Sequence, residues 1–178
     1  IDNEYLNYDH DRHLEAVKKH KPLIATAQDI MNIDDLPRIL KQARELSQYC
    51  GRVLLIPKVK SWLPNGFWLA YSIPTSHGGT PIEPEWFGDR PVHLLGGSPK
   101  DQARYGKLMN VVSLDGNYAM DLAKNGNVTW QYGEEKIQRL TGEKGCYPAF
   151  RESLKRQKQY WHGDRLQPWA DDPLFGIA

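Results

Sequence analysis

The sequence predicts an α/β fold with mostly parallel strands, and three observations support this prediction. Short apolar runs of strand length recur between turn residues, and they lack the alternation of polar and apolar residues. Continuous apolarity is typical of strands buried on both faces, as in parallel sheets. Segments with helical periodicity lie between several runs, and no GxGxxG or GxxxxGKS/T motif of a nucleotide-binding open sheet is present. The pattern suits either a (β/α) barrel or an open doubly wound sheet, and we prefer the barrel, in a reduced or incomplete TIM-like form.

Six strand candidates support the barrel. A first strand would end at Ile1, and the others are the apolar runs 22–27, 53–57, 67–73, 92–97 and 110–115. The Pro- and Gly-rich segment 74–91 is predicted to be a long irregular loop, and long ordered loops are more often functional than idle.

Helices are predicted between and after these strands. The clearest spans 34–50, where apolar residues recur at spacings of three and four, with Asp34 or Asp35 near its N-cap. Ser98 as an N-cap, followed by Pro99, predicts a helix directly after the strand that ends at Gly97. Further helices are predicted over 10–20, 117–126, 134–142 and 149–161.

Composition places the chain among soluble globular proteins. It has 178 residues, 40% of them hydrophobic, and a formal net charge of +1. So small a net charge argues against electrostatic binding of nucleic acid or membrane over the whole surface. A local basic patch is still compatible with this net charge. We predict a barrel-like catalytic domain over 1–145 and a basic, aromatic helical extension over 146–178 packed on it.

The cysteines and the chain start bear on location. Cys50 and Cys146 cannot form a disulfide framework or a four-cysteine zinc site, which favours a cytoplasmic location, with one bridge still open. No apolar run approaches the roughly 18 residues of a membrane span, and no signal peptide is visible, so no membrane partner is predicted. Because the chain begins at Ile1 rather than Met, strand material before Ile1 is expected to be missing, supplied by another chain or dispensed with.

Three acidic residues follow predicted strands: Asp2, Asp29 and Asp115. In a parallel barrel the carboxyl ends of the strands converge on one face, where catalytic groups collect. The three carboxylates could therefore share a pocket. Each also has an ordinary structural interpretation, because Asp115 begins an Asp-Gly turn dipeptide, Asp29 could cap a turn and Asp2 could lie in a frayed terminus.

The run from His93 to Pro99 ends a strand with Gly96 and Gly97 and then opens a helix. Glycine here lets backbone amides approach a base or a phosphate closely, although glycine pairs also form simple tight turns. His93 is interpreted as a structural histidine. Six scattered histidines without an HExxH or CxxC motif predict no metal site, and no cofactor is predicted.

The segment 151–165 carries five basic residues against two acids. Its cations could contact phosphates while an aromatic ring stacks on a base. The alternative is a solvated helix whose aromatic face packs on the core. The candidate nucleic-acid contacts are Lys155, Arg156, Lys158, Tyr160 and Trp161.

The segment VHLLGGSPKDQARYGKLMNVVSLDGNYAMDLAKNG resembles the late barrel strands of the tRNA-guanine transglycosylase superfamily. There, a Leu/Met-Gly-x-Gly turn is followed by a helix and then by the nucleophilic aspartate. Asp115 follows Gly97 by 18 residues, close to the family's spacing. VHLLGG and SLDGNY are more similar still to the phage and bacterial branch that acts on DNA, the 7-deazaguanine DNA transglycosylase-like proteins. The resemblance is strong over 67–125 and weaker, though compatible, over 1–60.

This resemblance implies an enzyme that exchanges guanine in nucleic acid, DNA rather than RNA, for a 7-deazaguanine-type base. It implies that Asp115 is the nucleophile that attacks C1′ of the nucleoside and that Asp2 is the acid/base for the outgoing and incoming bases. Asp29 would accept hydrogen bonds from the base. The Gly96-Gly97 turn would border the base pocket, and Tyr71 and Ser72 would occupy the place of the base-recognising loop.

The chain also departs from the family. The tRNA-modifying members carry a zinc site of three cysteines and a histidine, and this chain has only two cysteines. Two other classes of function therefore stay open. One is a non-catalytic nucleic-acid-binding or accessory protein with the same fold, and the other is a glycoside or nucleoside hydrolase that uses the same carboxylates with water as acceptor.

Overall fold

The computed structural model describes residues 1–3, 7–76, 78–133, 136–139 and 146–164. Five strands form a parallel sheet in which each strand lies beside its neighbour in the chain. In order, they are β1 (Ile24–Ile30), β2 (Arg52–Pro57), β3 (Trp68–Ser72), β4 (Val92–Leu95) and β5 (Val111–Leu114). The prediction of an α/β fold with parallel strands is confirmed. The described strands do not close into a barrel.

Helices lie between β1 and β2 and between β4 and β5, and others precede or follow the five strands in the chain. They are α1 (His10–His20), α2 (Leu36–Leu46), α3 (Pro99–Gly106), α4 (Tyr118–Lys124) and α5 (Cys146–Asp164). The predicted helices over 10–20, 34–50, 117–126 and 149–161 are confirmed with small changes at their ends. Residues 33–35, directly before α2, form a separate 3₁₀ turn, and the helix predicted over 34–50 ends at Leu46. The predicted loop 74–91 is largely irregular and contains one short 3₁₀ turn, Pro84–Phe87.

The helix starts follow the capping chemistry of the sequence. The Asp9 side chain accepts a hydrogen bond from the Arg12 N–H at the start of α1. Ser98 does the same for the Asp101 N–H at the start of α3. Each cap satisfies a backbone donor that the first helical turn leaves without an intrahelical partner. The structure thus confirms the predicted strand-to-helix junction after Gly97.

The chain divides into two compact units. The first comprises Ile1–Leu94 and Met109–Ser113, and the second comprises Leu95–Leu108 and Leu114–Ala178. In the first unit, five consecutive residues of β2, from Val53 to Pro57, are buried. This burial on both faces explains why the strand is continuously apolar rather than alternating. His93 of β4 is also buried, and its Nδ1 lies 2.7 Å from Ser113 Oγ.

In the second unit, the strands β6 (Asn127–Gln131) and β7 (Lys136–Arg139) form an antiparallel pair. Neither strand was expected, and the predicted helix over 134–142 is wrong where the structure describes it. Lys136, Gln138 and Arg139 favour helices by intrinsic propensity, but pairing with β6 overrides that weak preference. Gly133, with a positive φ of 85°, lies in the connection between the two strands.

Cys50 and Cys146 are free thiols. Among the described residues, no helix combines the length and the apolar character that a membrane crossing requires.

Candidate functional site

In the first unit, Asp2 lies directly beyond a strand-like segment. The Ile1 amino group donates to the Ile24 carbonyl at 2.6 Å, and the Thr26 N–H donates to the Ile1 carbonyl at 3.1 Å. This alternation between residues 24 and 26 is the hydrogen-bond pattern of a parallel pair. Ile1 thus makes strand-like pairing at the edge of β1, and Asp2 follows it.

Asp2 is tied to β1 through its side chain. Its Oδ1 accepts hydrogen bonds from Thr26 Oγ1 at 2.8 Å and from the Asn3 N–H at 2.9 Å. The Asn3 side-chain amide donates in turn to the Ala27 carbonyl. These contacts hold one oxygen of the Asp2 carboxylate at a defined place beside the strand.

Asp29 lies within β1 rather than beyond its end, which corrects the predicted strand of 22–27. The strand continues because it contains a β-bulge: Thr26 pairs with Leu54, and Asp29 pairs with Ile56, so β1 holds one more residue than β2 between these pairs. A bulge changes the direction in which the following side chains point and is frequent beside active sites. Here it lies between Thr26, which binds Asp2, and Asp29.

Asp29 forms an ion pair with Lys58, the residue that follows β2. The Lys58 Nζ lies 3.5 Å from Asp29 Oδ2, and the two side chains are 11% and 19% exposed, respectively. Lys58 also donates to the Gly79 carbonyl at 3.2 Å. Burial raises the pKa of Asp29 above its ordinary value, Lys58 opposes this rise, and the negative charge of Asp2 adds to it.

Replacing Lys58 by Met is expected to lower the free energy of unfolding by about 2 kcal/mol at neutral pH. The substitution leaves a largely buried carboxylate without its cation, and partial exposure keeps the cost below the 3–5 kcal/mol of full burial. Without Lys58, the pKa of Asp29 in the folded protein rises further. The variant therefore loses little stability below about pH 4, where Asp29 is protonated, and loses more as the pH rises through the pKa of Asp29.

Chemical denaturation at several pH values measures this effect. The deficit of the Lys58→Met variant should grow from acidic towards neutral pH, and adding Asp29→Asn should remove the pH dependence of the deficit. A deficit that is equal at all pH values would contradict the role given to the ion pair.

A cleft of about 190 Å³ opens in the first unit, and its walls include Asp2, Tyr8 and His13. His13 is 8% exposed, and no hydrogen-bond partner for its Nε2 lies in the part of the chain that the structure describes. Burial lowers the pKa of His13 and so favours the neutral ring. Asp2 and a neutral imidazole therefore share one cleft, an arrangement suited to proton transfer.

A second histidine lies next to this cleft. The Tyr8 hydroxyl is 3.0 Å from His10 Nδ1, and His10 Nε2 is 2.7 Å from Glu45 Oε2. Burial raises the pKa of Tyr8 to about 12, so its hydroxyl stays protonated at neutral pH. Neither histidine was among the predicted site residues, because no motif marks them.

The two predicted residues of β3 differ in their surroundings. The Tyr71 ring is buried in an edge-to-face contact with Phe87, with ring centroids 5.4 Å apart. Ser72 is half-buried at the end of the strand; its N–H donates to Thr80 Oγ1 at 3.0 Å, and its carbonyl accepts the Thr80 N–H at 2.8 Å. Tyr71 is thus a core residue, whereas Ser72 lies at the carboxyl end of the strand.

In the second unit, the glycine turn meets Asp115. The Gly96 N–H donates to Asp115 Oδ1 at 2.7 Å. Gly96 and Gly97 have positive φ angles of 69° and 79°, a region that is costly for residues with a Cβ. The two glycines therefore allow the backbone conformation that presents an amide to this exposed carboxylate.

Gln102 of α3 contacts the same turn, and no sequence motif marks it. Its Nε2 donates to the Gly96 carbonyl at 2.8 Å and to the Asp115 carbonyl at 2.7 Å. Its Oε1 accepts a hydrogen bond from the Tyr132 hydroxyl. The available signal was a polar residue on the helix face that also carries Ala103 and Gly106.

A small cavity of about 20 Å³ lies beside Asp115 and Gln102. Its volume suits a single water molecule and is far below the roughly 300–1,000 Å³ of typical small-molecule sites. This cavity alone cannot accommodate a purine base.

The predicted nucleic-acid contacts lie on α5, where cations and aromatic rings have different surroundings. Glu152 lies 2.8 Å from Arg156 Nε and 3.9 Å from Lys155 Nζ, so one acid offsets part of this positive charge. Lys158 is exposed. Trp161 is 7% exposed, and the rings of Tyr160 and Trp161 pack edge to face. Packing on the core, the alternative interpretation, therefore describes Trp161.

The part of the chain that the structure describes contains no group of three or more His, Cys, Asp or Glu side chains that could hold a metal ion.

Comparison with known proteins identifies a family without an established activity. The model of DUF6610, described as a family of unknown function, matches residues 1–162, and the chain therefore belongs to this family. The match includes Asp2, Asp29 and Asp115. No curated protein and no solved structure matches the chain.

Proposed function

We propose that this DUF6610 protein is a base-exchanging transglycosylase that replaces guanine in DNA by a 7-deazaguanine-type base. Asp115 is the nucleophile, Asp2 is the acid/base and Asp29 accepts hydrogen bonds from the base. The observation that supports this most strongly is the 2.7 Å hydrogen bond from the Gly96 N–H to Asp115 Oδ1. The glycine turn and the aspartate, on which the resemblance depends, are 19 residues apart in sequence and in contact in the fold.

The proposed reaction proceeds through a covalent intermediate. A carboxylate oxygen of Asp115 forms a bond to C1′ while the bond from C1′ to guanine breaks, and Asp2 donates a proton to the leaving base. The incoming base then attacks C1′ through a ring nitrogen, Asp2 takes up the proton of that nitrogen, and Asp115 is released. Guanine and the deazapurine thus exchange without net consumption of water.

The surroundings of Asp29 suit a role in base recognition. An ionised carboxylate accepts hydrogen bonds from the amino group and the ring N–H of a guanine-like base. Lys58, 3.5 Å away, favours the ionised form against the effect of burial. The electrostatic effect of Asp2 on Asp29 also supports the assignment of these two acids to one function.

The strand order supports a barrel-like architecture. All five strands lie in the sheet in their order along the chain, as in a (β/α) barrel, whereas doubly wound sheets reverse direction at a switch point. Ile1 adds strand-like pairing at the β1 edge. A reduced barrel therefore forms part of the proposal.

Incubation with DNA and a labelled deazapurine tests the function. Single-stranded and duplex substrates are both needed, because a base within a duplex must be flipped out before it can react. Incorporation of label into DNA together with release of guanine supports the proposal. Release of guanine without incorporation would favour a hydrolase, and DNA binding with neither reaction would favour a binding protein.

A nucleic-acid-binding protein without turnover is the second candidate, and the exposed cations of α5 favour it. Each phosphate contact contributes about −0.9 to the slope of log K for DNA binding against the logarithm of the salt concentration. If Lys155 and Lys158 contact phosphates, the double substitution Lys155→Gln and Lys158→Gln should make this slope less steep by about 2. Fluorescence anisotropy with labelled DNA at several salt concentrations measures this slope. Lys19→Gln with Lys41→Gln, two exposed lysines of the first unit, is the matched control. An unchanged slope in the α5 variant would show that Lys155 and Lys158 do not contact phosphates.

A further inference from the structure

One buried amide connects both sides of the turn that holds Asp115. Gln102 is 3% exposed, and its Nε2 donates to the carbonyls of Gly96 and Asp115. These are the two residues that also form the hydrogen bond from the Gly96 N–H to Asp115 Oδ1. Both ends of that bond are therefore fixed to the same side chain.

Tyr132 sets the orientation of this amide. Its hydroxyl donates to Gln102 Oε1, which places Nε2 towards the two carbonyls. Burial raises the pKa of Tyr132, so the hydroxyl remains a protonated donor across the physiological range. Rotation of the Gln102 amide by a half turn would bring Oε1 against two carbonyl oxygens and is therefore strongly disfavoured.

The residue after Asp115 leaves room for this contact. A Cβ at Gly116 would lie 3.3 Å from Gln102 Nε2 and 3.7 Å from the Gly97 carbonyl oxygen. The first distance is tighter than ordinary van der Waals contact, so a side chain here would press on the amide. Glycine at position 116 thus leaves the space that the Gln102 amide occupies beside Asp115.

We propose that Gln102, oriented by Tyr132, is the positioning residue for the nucleophile Asp115. This inference rests on the proposed transglycosylase function. A nucleophile reacts efficiently only when its oxygen is held about 3–3.5 Å from the reacting carbon, and a displacement of about 1 Å can cost about 100-fold in rate. The Gln102 amide is buried and hydrogen-bonded at both ends, and it acts by holding the backbone on both sides of the Gly96–Asp115 hydrogen bond.

The Gln102→Met variant tests this role, because Met has a similar length and lacks both donors. We expect kcat for base exchange to fall about 10- to 100-fold, with KM for DNA and for the deazapurine within about twofold of the wild type. Tyr132→Phe, which removes only the hydroxyl that orients the amide, should lower kcat in the same direction by about 3- to 10-fold.

Val128→Ala is the matched control. Val128 is buried in the second unit in a core cluster with Ala123 and Ala149, so the variant also loses buried packing. Its apolar side chain takes no part in the hydrogen bonds around Gln102, and the kcat of the variant should equal that of the wild type. If Gln102→Met and Val128→Ala lower kcat equally, the effect is a general loss of packing, and the positioning role is wrong.

Amide hydrogen exchange at Gly96 separates this inference from the proposed function, because it requires no activity. In Gln102→Met the Gly96 N–H should exchange its hydrogen about 10-fold faster than in the wild type, while Val128→Ala should leave that rate unchanged. Unchanged Gly96 exchange in Gln102→Met would overturn the inference even if the wild type exchanges bases. If the wild type does not exchange bases, the proposed function is refuted. Faster hydrogen exchange at the Gly96 N–H in Gln102→Met would then still show that Gln102 holds Asp115 in place.

Discussion

The Asp115→Asn variant is expected to lose base exchange by about 10³-fold or more, because an amide oxygen is a poor nucleophile towards C1′. Its stability should change by less than about 1 kcal/mol, since the Asn oxygen can still accept the Gly96 N–H at the position of Asp115 Oδ1. Incorporation of labelled deazapurine into DNA measures the loss.

Asp121→Asn is the control for Asp115→Asn. Asp121 is an exposed acid of α4 that pairs with Lys124, so the same change of charge occurs in the same unit outside the proposed site. This variant should exchange bases at the wild-type rate. Incorporation that persists in Asp115→Asn would refute the assigned nucleophile.

Replacing Trp161 by Ala is expected to lower the free energy of unfolding by about 3 kcal/mol. The ring is buried, contacts Tyr132 and Tyr160, and lies so close to α3 that a Cβ at Gly106 would be 2.5 Å from it. Removing a buried Trp side chain typically costs about 3–5 kcal/mol through lost apolar burial and the cavity that remains. Denaturant unfolding measures the change.

Tyr147→Ala is the matched control for Trp161→Ala, because Tyr147 is an exposed aromatic residue on the same helix. Its stability should stay within about 0.5 kcal/mol of the wild type. A Trp161→Ala variant with wild-type stability and weakened DNA binding would contradict the packing role. That outcome would instead support the predicted stacking of Trp161 on a base.

The parallel sheet could be predicted because burial on both faces leaves a direct trace in the sequence. Runs such as Val53–Pro57 contain no polar residue, and the structure buries all of them. The junction after Gly97 was also predictable, because Ser98 and Pro99 are strong local signals for a helix start. Continuous apolarity thus made the sheet predictable in the first unit, and local capping made the start of α3 predictable in the second.

The β-bulge in β1 could not be predicted, because it depends on pairing with β2 rather than on the residues of β1 alone. For the same reason the sequence placed Asp29 beyond the strand instead of within it. Lys58 is 29 residues away in the chain, and its contact with Asp29 follows from the register of the two strands.

The antiparallel pair β6 and β7 shows the limit of intrinsic propensity. Residues 136–139 favour a helix when read alone, yet they pair with β6 in the fold. Gln102 was overlooked for a related reason: a lone polar residue on an otherwise buried helix face has many structural explanations. Its partners, Gly96 and Asp115, became evident only from distances in the fold.

The most direct test of the central claim is to identify the covalent intermediate. The wild-type protein is quenched with denaturant during exchange on DNA, the DNA is digested, and the protein is mapped by peptide mass spectrometry. We predict a deoxyribosyl adduct on the peptide that contains Asp115, formed with wild-type protein and absent with Asp115→Asn. An adduct on another residue, or base exchange by the wild type without any adduct, would contradict the assignment of Asp115 as the nucleophile.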